Sequence, residues 1–333
     1  MISRSLYLLA LLAGLLLLSG CVARFQLPLG CPPDCTKVNL QNASLRGVDL
    51  RGAQLNSVTL AQVDLAGADL RAAELAGANL AGAVLSGADL RGANLKGANL
   101  TEVNLTGANL AEANLSSADL TGANLTGLDL STTVLTAVTL EQARMINVNL
   151  AGSNLSGVRL VGANLRGANL AGANLAGSVL GDETEGSGAS FQGADLREVD
   201  LTGANLSNTD LSGTNLRGAT MIGATLDTTT LSGADLRECV FDKATITRTN
   251  MGGARIEGAS FVSTQFRERV IFSGARMHRA RLGQAVVPNA QAQGALGGEP
   301  LIGLVLNGVR YDASTTWPEN LALPSSVILE TSR

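Results

Sequence analysis

An all-β solenoid is the fold class that this 333-residue sequence predicts, and three observations predict it. Leucine recurs at every fifth position from Leu40 to Leu180, filling 28 of 29 equally spaced sites, with Met145 the exception. A period of five matches neither the 3.6 residues of a helical turn nor the two of a strand, so the chain must advance in identical short units that stack on one another. Secondly, each unit is two-sided. In Ala88-Asp89-Leu90-Arg91-Gly92, with the leucine called i, Ala stands at i−2, Asp or Asn at i−1, a polar residue at i+1 and a small one at i+2. Positions i−2 and i point to one side of a short extended segment, while i−1 and i+1 point to the other. Thirdly, Gly47, Gly67, Gly87, Gly92, Gly97 and Gly107 fall at i+2, where a type II turn from i to the next i−2 needs positive φ. A turn every five residues bends the chain into a closed coil.

The pattern continues through units such as Ala93-Asn94-Leu95-Lys96-Gly97 and Ala98-Asn99-Leu100-Thr101-Glu102. It strongly resembles the pentapeptide-repeat proteins. That resemblance implies a right-handed quadrilateral β-helix, with four repeats per coil. At about 20 residues per coil and about 4.8 Å between coils, the register from Leu40 to Leu180 makes about seven coils. Phe191 restarts the pattern 11 residues after Leu180, and it runs through Leu196, Leu206, Leu216, Leu226, Leu236, Ile246 and Ile256 to Phe266. Ten residues would have kept register, so the glycine-rich run from Gly181 to Gly188 is expected to form a bulged or looped coil. A second slip of one residue leads to Phe272, Met277 and Leu282. The solenoid over 38–287, irregular near 181–190 and 267–272, is expected to hold about twelve coils and to be roughly 55–60 Å long. It is one elongated domain, because each coil is stabilised by its neighbours rather than by a global core.

Ahead of it, residues 1–20 read as an export signal. Arg4 opens a short basic start, and the apolar run from Leu6 to Leu18 follows. That run, about 13 residues, is too short to cross a bilayer of about 30 Å as a helix and typical of a signal-peptide core. Leu18-Ser19-Gly20-Cys21 resembles a bacterial lipobox. The resemblance implies a diacylglyceryl group on the Cys21 thiol, cleavage after Gly20 and acylation of the new amino terminus; two or three chains anchor stably where one does not. A plain secretory signal with an incidental cysteine is the alternative. Val22 after Cys21, rather than Asp, favours the outer membrane in a Gram-negative cell. In the tether 21–37, Cys31 and Cys35 either pair as a clip in an oxidising envelope or stay free thiols. A metal site there would need further ligands, and His278 is the one histidine of the chain.

The open ends of a solenoid expose strand edges and interior. Residues 288–333 read as a linker and C-terminal cap, with strand-like stretches Leu301–Leu306 and Val309–Asp312 and the lone Trp317. The tail Tyr311-Asp312, Thr315-x-Trp317-Pro318 is similar to tails that end many pentapeptide-repeat proteins. It either covers the end or forms a homodimer contact.

Inside, Leu201, Met221, Phe241 and Phe261 lie 20 apart and are expected to form one packing column, and Cys239 at i−2 is expected to be a buried packing group. Outside, Asp49/Arg51, Asp69/Arg71 and Asp89/Arg91 recur at 20, as do Arg197, Arg217 and Arg237. They read as solubilising ion pairs, each worth under about 1 kcal/mol, or as a ligand-binding stripe. Charge also divides along the rod. Eleven Lys and Arg face 21 Asp and Glu from Leu40 to Asp242. From Lys243 to Arg281, by contrast, Lys243, Arg248, Arg255, Arg267, Arg269, Arg276, Arg279 and Arg281 oppose Glu257 and Glu268. Such a basic end either steers an anionic protein, glycan or lipid or is a solvated cap.

No nucleophile elbow, phosphate loop or paired carboxylates in a concave site are present, so no enzyme activity and no cofactor is expected. The function this sequence points to is a non-catalytic, lipid-anchored scaffold or binding module of the bacterial cell envelope. The alternative comes from the family resemblance: some pentapeptide-repeat proteins mimic duplex DNA, bind type II topoisomerases and protect against quinolones. The acidic section suits that, while the lipobox, which would place the rod outside the cytoplasm, argues against it and against nucleic-acid partners.

Overall fold

Successive pentapeptides turn through four sides and return to the same place after 20 residues, as the parallel bridges Ser44↔Asp64, Asp49↔Asp69, Gln54↔Glu74 and Thr59↔Asn79 record. The computed structural model describes residues 40–182, 188–286, 303–305, 310–318, 323 and 327–329. Residues 1–39, with the expected export signal and with Cys21, Cys31 and Cys35, as well as 183–187 and most of 287–333, lie outside the described residues.

Each corner is closed by a bond from the amide of i+3 to the carbonyl of i, such as Ala43 N to Leu40 O at 3.0 Å and Ala98 N to Leu95 O at 3.0 Å. The i+2 residue takes the left-handed conformation expected of it: Gly97 at φ 64°, and also Glu102 at 56° and Gln142 at 56°. Coils are joined by three bonds per side, for example Asn114 N to Ala93 O at 2.9 Å, and Leu95 N to Asn114 O and Gly97 N to Ser116 O, both 2.8 Å. Most sides pair through a single bridge, and only β1 (Thr225–Asp227), β2 (Thr245–Thr247) and β3 (Gln265–Arg267) lengthen into a three-stranded parallel sheet. There the i to i+3 bond at Leu226 and Ile246 is absent, and the hydroxyls of Thr229 and Thr249 bond instead to Leu206 O and Leu226 O of the coil before, at 2.8 and 2.9 Å.

The interior is filled by i and i−2. Every leucine from Leu50 to Leu180 on the period is buried, as are Met145, Phe191, Phe241, Phe261, Phe266 and Phe272. Phe241 and Phe261 stack with ring centres 4.8 Å apart and planes 1° apart, so the rings repeat the spacing of the coils that hold them. Phe272 meets Phe261 edge-on at 6.2 Å. Leu128 is the one leucine at an i−2 position otherwise held by smaller residues. Beside it the usual bond between the Leu110 amide and Asp129 is missing, as is the one between the Leu135 amide and Asn154, where Thr133 and Ser153 stand at i−2.

Both phase slips are corner insertions. From Asn164↔Ser190 to Val179↔Asn205 the ladder partners are 26 apart, six more than a coil, and Ala189 N bonds Leu180 O at 2.7 Å, closing the ordinary corner around eight residues instead of two. The step from Leu180 to Phe191 is therefore a single side with a six-residue loop, not two sides with one extra residue. The loop's ends rest on the next coil: Asn208 Nδ2 donates to Asp182 O at 2.6 Å. A Cβ on Gly181 or Gly188 would run into the backbone of Ser207 or Asn208. The second slip adds one residue at Glu268, after which partners are 21 apart (Asn250↔Ile271).

Beyond residue 286, the described residues rejoin the ladder. β4 (Arg269–Ile271) pairs in parallel with β5 (Gly303–Val305), then Arg276 with Arg310 and Arg281 with Thr316. β6 (Arg310–Tyr311) pairs with β7 (Ile328–Leu329). Trp317, Leu323 and Val327 pack partly buried against the core, with Tyr311 edge-on to Trp317 at 5.6 Å.

Candidate functional site

With the interior filled by side chains, the chemistry lies on the four outer sides. The side that begins at Asp49 is the most ordered. Its i−1 column runs Asp49, Asp69, Asp89, Asn109, Asp129, Asn149, Asn169, Asp195, Asn215, Asp235, Arg255, Arg276 and Arg310. The i+1 residue of each rung stands beside it, two positions on.

Because the corner loop shifts the register by six, Asn169↔Asp195 puts the Asp49–Arg91 and the Asp195–Arg237 pairs on one and the same side. Arg51 donates from Nε and Nη2 to Asp49 at 2.9 and 2.6 Å and lies 3.7 Å from Asp69 on the next coil. Arg71 repeats this with Asp69 and Asp89, at 2.6 and 3.6 Å. Arg197 clasps Asp195 and Arg237 clasps Asp235, at 2.6 and 2.5 Å. The Arg51 hydrogen bonds hold the Asp49 carboxyl down at about 2, and those of Arg71, Arg91 and Arg197 lower Asp69, Asp89 and Asp195. Between the charged stretches, Ala111, Ser131, Ala151 and Ala171 at i+1 leave a flat strip, where Asn169 Nδ2 donates to Asn149 Oδ1 and Asn149 Nδ2 to Asp129 Oδ1, each at 3.0 Å. Toward the C-terminal end the order inverts: Arg255 stands at i−1 and Glu257 at i+1.

The basic residues form a band around the end rather than one patch. Arg255 and Arg276 stack on the side just described, Arg281 lies on the next, and Lys243 and Arg279 sit at corners. Arg248, Arg267 and Arg269 lie near the corner of the one-residue insertion. There Arg248 is paired with Asp227 at 2.5 Å and Glu268 at 3.4 Å, and with Glu268, Arg269 and Ile271 it lines a groove of about 270 Å³. Arg255 is neutralised by Asp235 at 3.6 Å. Arg276, Arg279 and Arg281 are exposed and have no ion pair among the described residues.

Cys239 is buried, its Sγ bonding Leu216 O at 3.0 Å, and burial pushes its thiol up. That suits packing and not nucleophilic attack. Among the described residues no His, Cys, Asp and Glu cluster could hold a metal ion, and no helix is long and apolar enough to cross a membrane. Sequence reasoning missed Arg310 and Asp312 as members of the ordered side, since the spacing from Arg276 to Arg310 is no multiple of five. It also missed the Asn149–Asn169 strip, although the period of 20 marks both residues.

A parallel solenoid with twenty-residue coils, a filled interior and a regular polar exterior defines a class of repeat protein whose working parts are its faces. A family model for pentapeptide repeats matches residues 34–71, 64–101, 98–136, 143–182 and 189–227, and a second pentapeptide-repeat model matches 241–286. The chain belongs to the pentapeptide-repeat family. Among solved structures, it is similar to a pentapeptide-repeat protein of the Arabidopsis thaliana thylakoid lumen, with 29% identity over 35% of this chain and 63% of that one, at a TM-score of 0.26. It thus spans just under two thirds of that protein. A second is HetL, involved in heterocyst differentiation regulation in the cyanobacterium Nostoc sp. strain PCC 7120, with 28% identity over 81% and 90% of the two chains and a TM-score of 0.19. A third is trypsin-treated QnrB1, a plasmid-mediated fluoroquinolone resistance protein, with 17% identity over 62% and 91% and a TM-score of 0.27. No curated protein matches the chain in sequence.

Proposed function

We propose that the protein is a lipid-anchored scaffold or binding module of the bacterial cell envelope, a rigid rod that does no chemistry of its own and presents its faces to an envelope protein, glycan or lipid. The observation that carries this is Leu18-Ser19-Gly20-Cys21 directly after a 13-residue apolar run and a short basic start. A diacylated Cys21 followed by the tether 21–37 would set the solenoid just off the membrane, the outer one in a Gram-negative cell. The rod is read as right-handed, with about twelve coils. Residues 288–333 serve as its cap, in keeping with the return of Arg310 and Thr316 to the ladder. Arg276, Arg279 and Arg281 make the distal end the place to meet an anionic partner.

The test is metabolic labelling with a fatty-acid analogue and membrane fractionation of wild type and Cys21→Ala. Label and membrane attachment lost in the variant, with an unchanged melting curve, support the anchor. Tight membrane attachment that persists without Cys21 sinks it. An unlabelled, cytosolic wild type that inhibits purified gyrase supercoiling would replace this function with topoisomerase binding.

A further inference from the structure

We infer that the side running from Asp49 to Asp235 is a homotypic contact surface, on which a second copy of this chain docks in parallel and in register. Five rungs of the side hold opposite charges at their two outward positions, the acid at i−1 and the arginine at i+1, about two residues apart along the strand, whereas Asp129/Ser131 carries only the acid and Asn215/Arg217 only the arginine. Two copies placed face to face can be related by a twofold axis along the rod or by one across it. The axis along the rod keeps the rods parallel and sets each i−1 residue opposite the partner's i+1 residue, so Asp69 meets Arg71 and Asp195 meets Arg197. The axis across it sets i−1 against i−1, carboxylate against carboxylate and guanidinium against guanidinium, which is repulsive. The inverted rung Arg255/Glu257 stays complementary in the parallel arrangement, because opposition within a rung is what matters and not its order.

The relief of the side fits the same arrangement. Its centre, from Asn109 to Ala171, has short side chains that let two backbones approach without ordering long ones, and the charged ladders stand at either end of that strip. Nine steps of about 4.8 Å make the stretch from Asp49 to Asp235 about 43 Å long, and a side about 10 Å wide then offers roughly 430 Å² per copy. A stable complex needs about 800 Å² per partner, so this contact is a weak one in dilute solution. It gains from anything that holds two copies side by side with their N-termini at one level, which an anchor on Cys21 would do. The charge pattern is independent of that anchor; only the local concentration rests on the proposed function.

Two differently tagged full-length copies, both with Cys31 and Cys35 replaced by serine, are co-expressed and oxidised in the cell. One copy has Asn169→Cys, and the other has either Ala171→Cys or Asn109→Cys; the pair without introduced thiols is the reference. Parallel docking in register cross-links 169 to 171 with a yield at least about fivefold above 169 to 109, whereas antiparallel docking reverses that order. Replacing Arg71, Arg91 and Arg197 with Glu in both copies makes those three rungs wholly acidic. It should lower the 169–171 yield about fivefold or more while a cooperative melt shows the fold retained, and about 1 M salt should do the same. Equal yields for the two pairings, no cross-link above the reference, or a yield indifferent to the Arg→Glu changes overturns the proposal. Membrane fractionation of the same cells reports the anchor separately, so a soluble protein that still cross-links 169 to 171 refutes the anchor and not the contact.

Discussion

Leu95 is the place to test the inward assignment, because its coil lies well away from both slips and both ends. It is 1% exposed and sits between Leu75 and Leu115, its counterparts one coil before and one after. Leu95→Met keeps volume and apolarity and should cost under about 1.5 kcal/mol, as Met145 already shows that the site type accepts the thioether. Leu95→Ala removes the buried methyl groups and leaves a void, costing about 2–5 kcal/mol. Leu95→Asp forfeits about 1.5–3 kcal/mol of burial and adds the several kcal/mol of an unpaired carboxylate with no partner in the interior, so it should exceed about 5 kcal/mol. A solenoid coil is held by its own contacts and its two interfaces, so the damage should concentrate in the coils at 75–115 and fade toward 220–260. Urea unfolding followed by circular dichroism gives the order, and amide hydrogen exchange gives the location. An Asp variant with the wild-type midpoint refutes the assignment of Leu95 to the interior. Loss of protection spread evenly along the rod refutes nearest-neighbour coupling.

Gly181→Ala and Gly188→Ala should each destabilise the corner loop more than Gly97→Ala does, because the first two push a methyl into the next coil's backbone while Gly97 has open space and only its φ of 64° to pay for. The three thermal midpoints decide it, and equal losses would show that the loop does not rest on Ser207 and Asn208. The lowered carboxyls of Asp49, Asp69, Asp89 and Asp195 stabilise the fold above their ordinary range near 4. That contribution is lost as pH falls from about 4 toward about 2, since the unfolded chain then takes up protons first. Replacing Arg71 and Arg91 with Gln should flatten that acid limb; an identical pH profile would contradict the ladder. Cys239 should resist a maleimide in the native protein and react once urea unfolds it. Rapid native labelling would contradict its burial.

Most of the architecture was legible because a pentapeptide writes its geometry locally. The inward places of Leu90 and Ala88 and the turn at Gly92 follow from spacings of two and five residues, and the stacking of Asp69 on Asp89 from the four-sided coil that the family resemblance implied. Phe241 over Phe261 was legible for the same reason. The step from Leu180 to Phe191 was not, because 11 residues fit either two sides and a bulge or one side and a loop, and nothing in Gly181–Gly188 alone decides between them. The close fit of Gly181 and Gly188 against Ser207 and Asn208 does, and those residues lie a full coil further on. The return of Arg310 to Arg276 was hidden likewise, behind a segment that has lost the period.

The sequence by itself determined the repeat, its inside and outside, its turns and its family, since each rests on contacts within a unit or between positions at a constant interval. Only the tertiary structure decided that the two Asp–Arg stretches share one side, and that the basic residues encircle the end with Arg248 and Arg255 already paired. Which side a residue takes is the sum of every step before it. A single corner of eight residues therefore resets the face of everything downstream, and the free energy that chooses that corner comes from packing between coils.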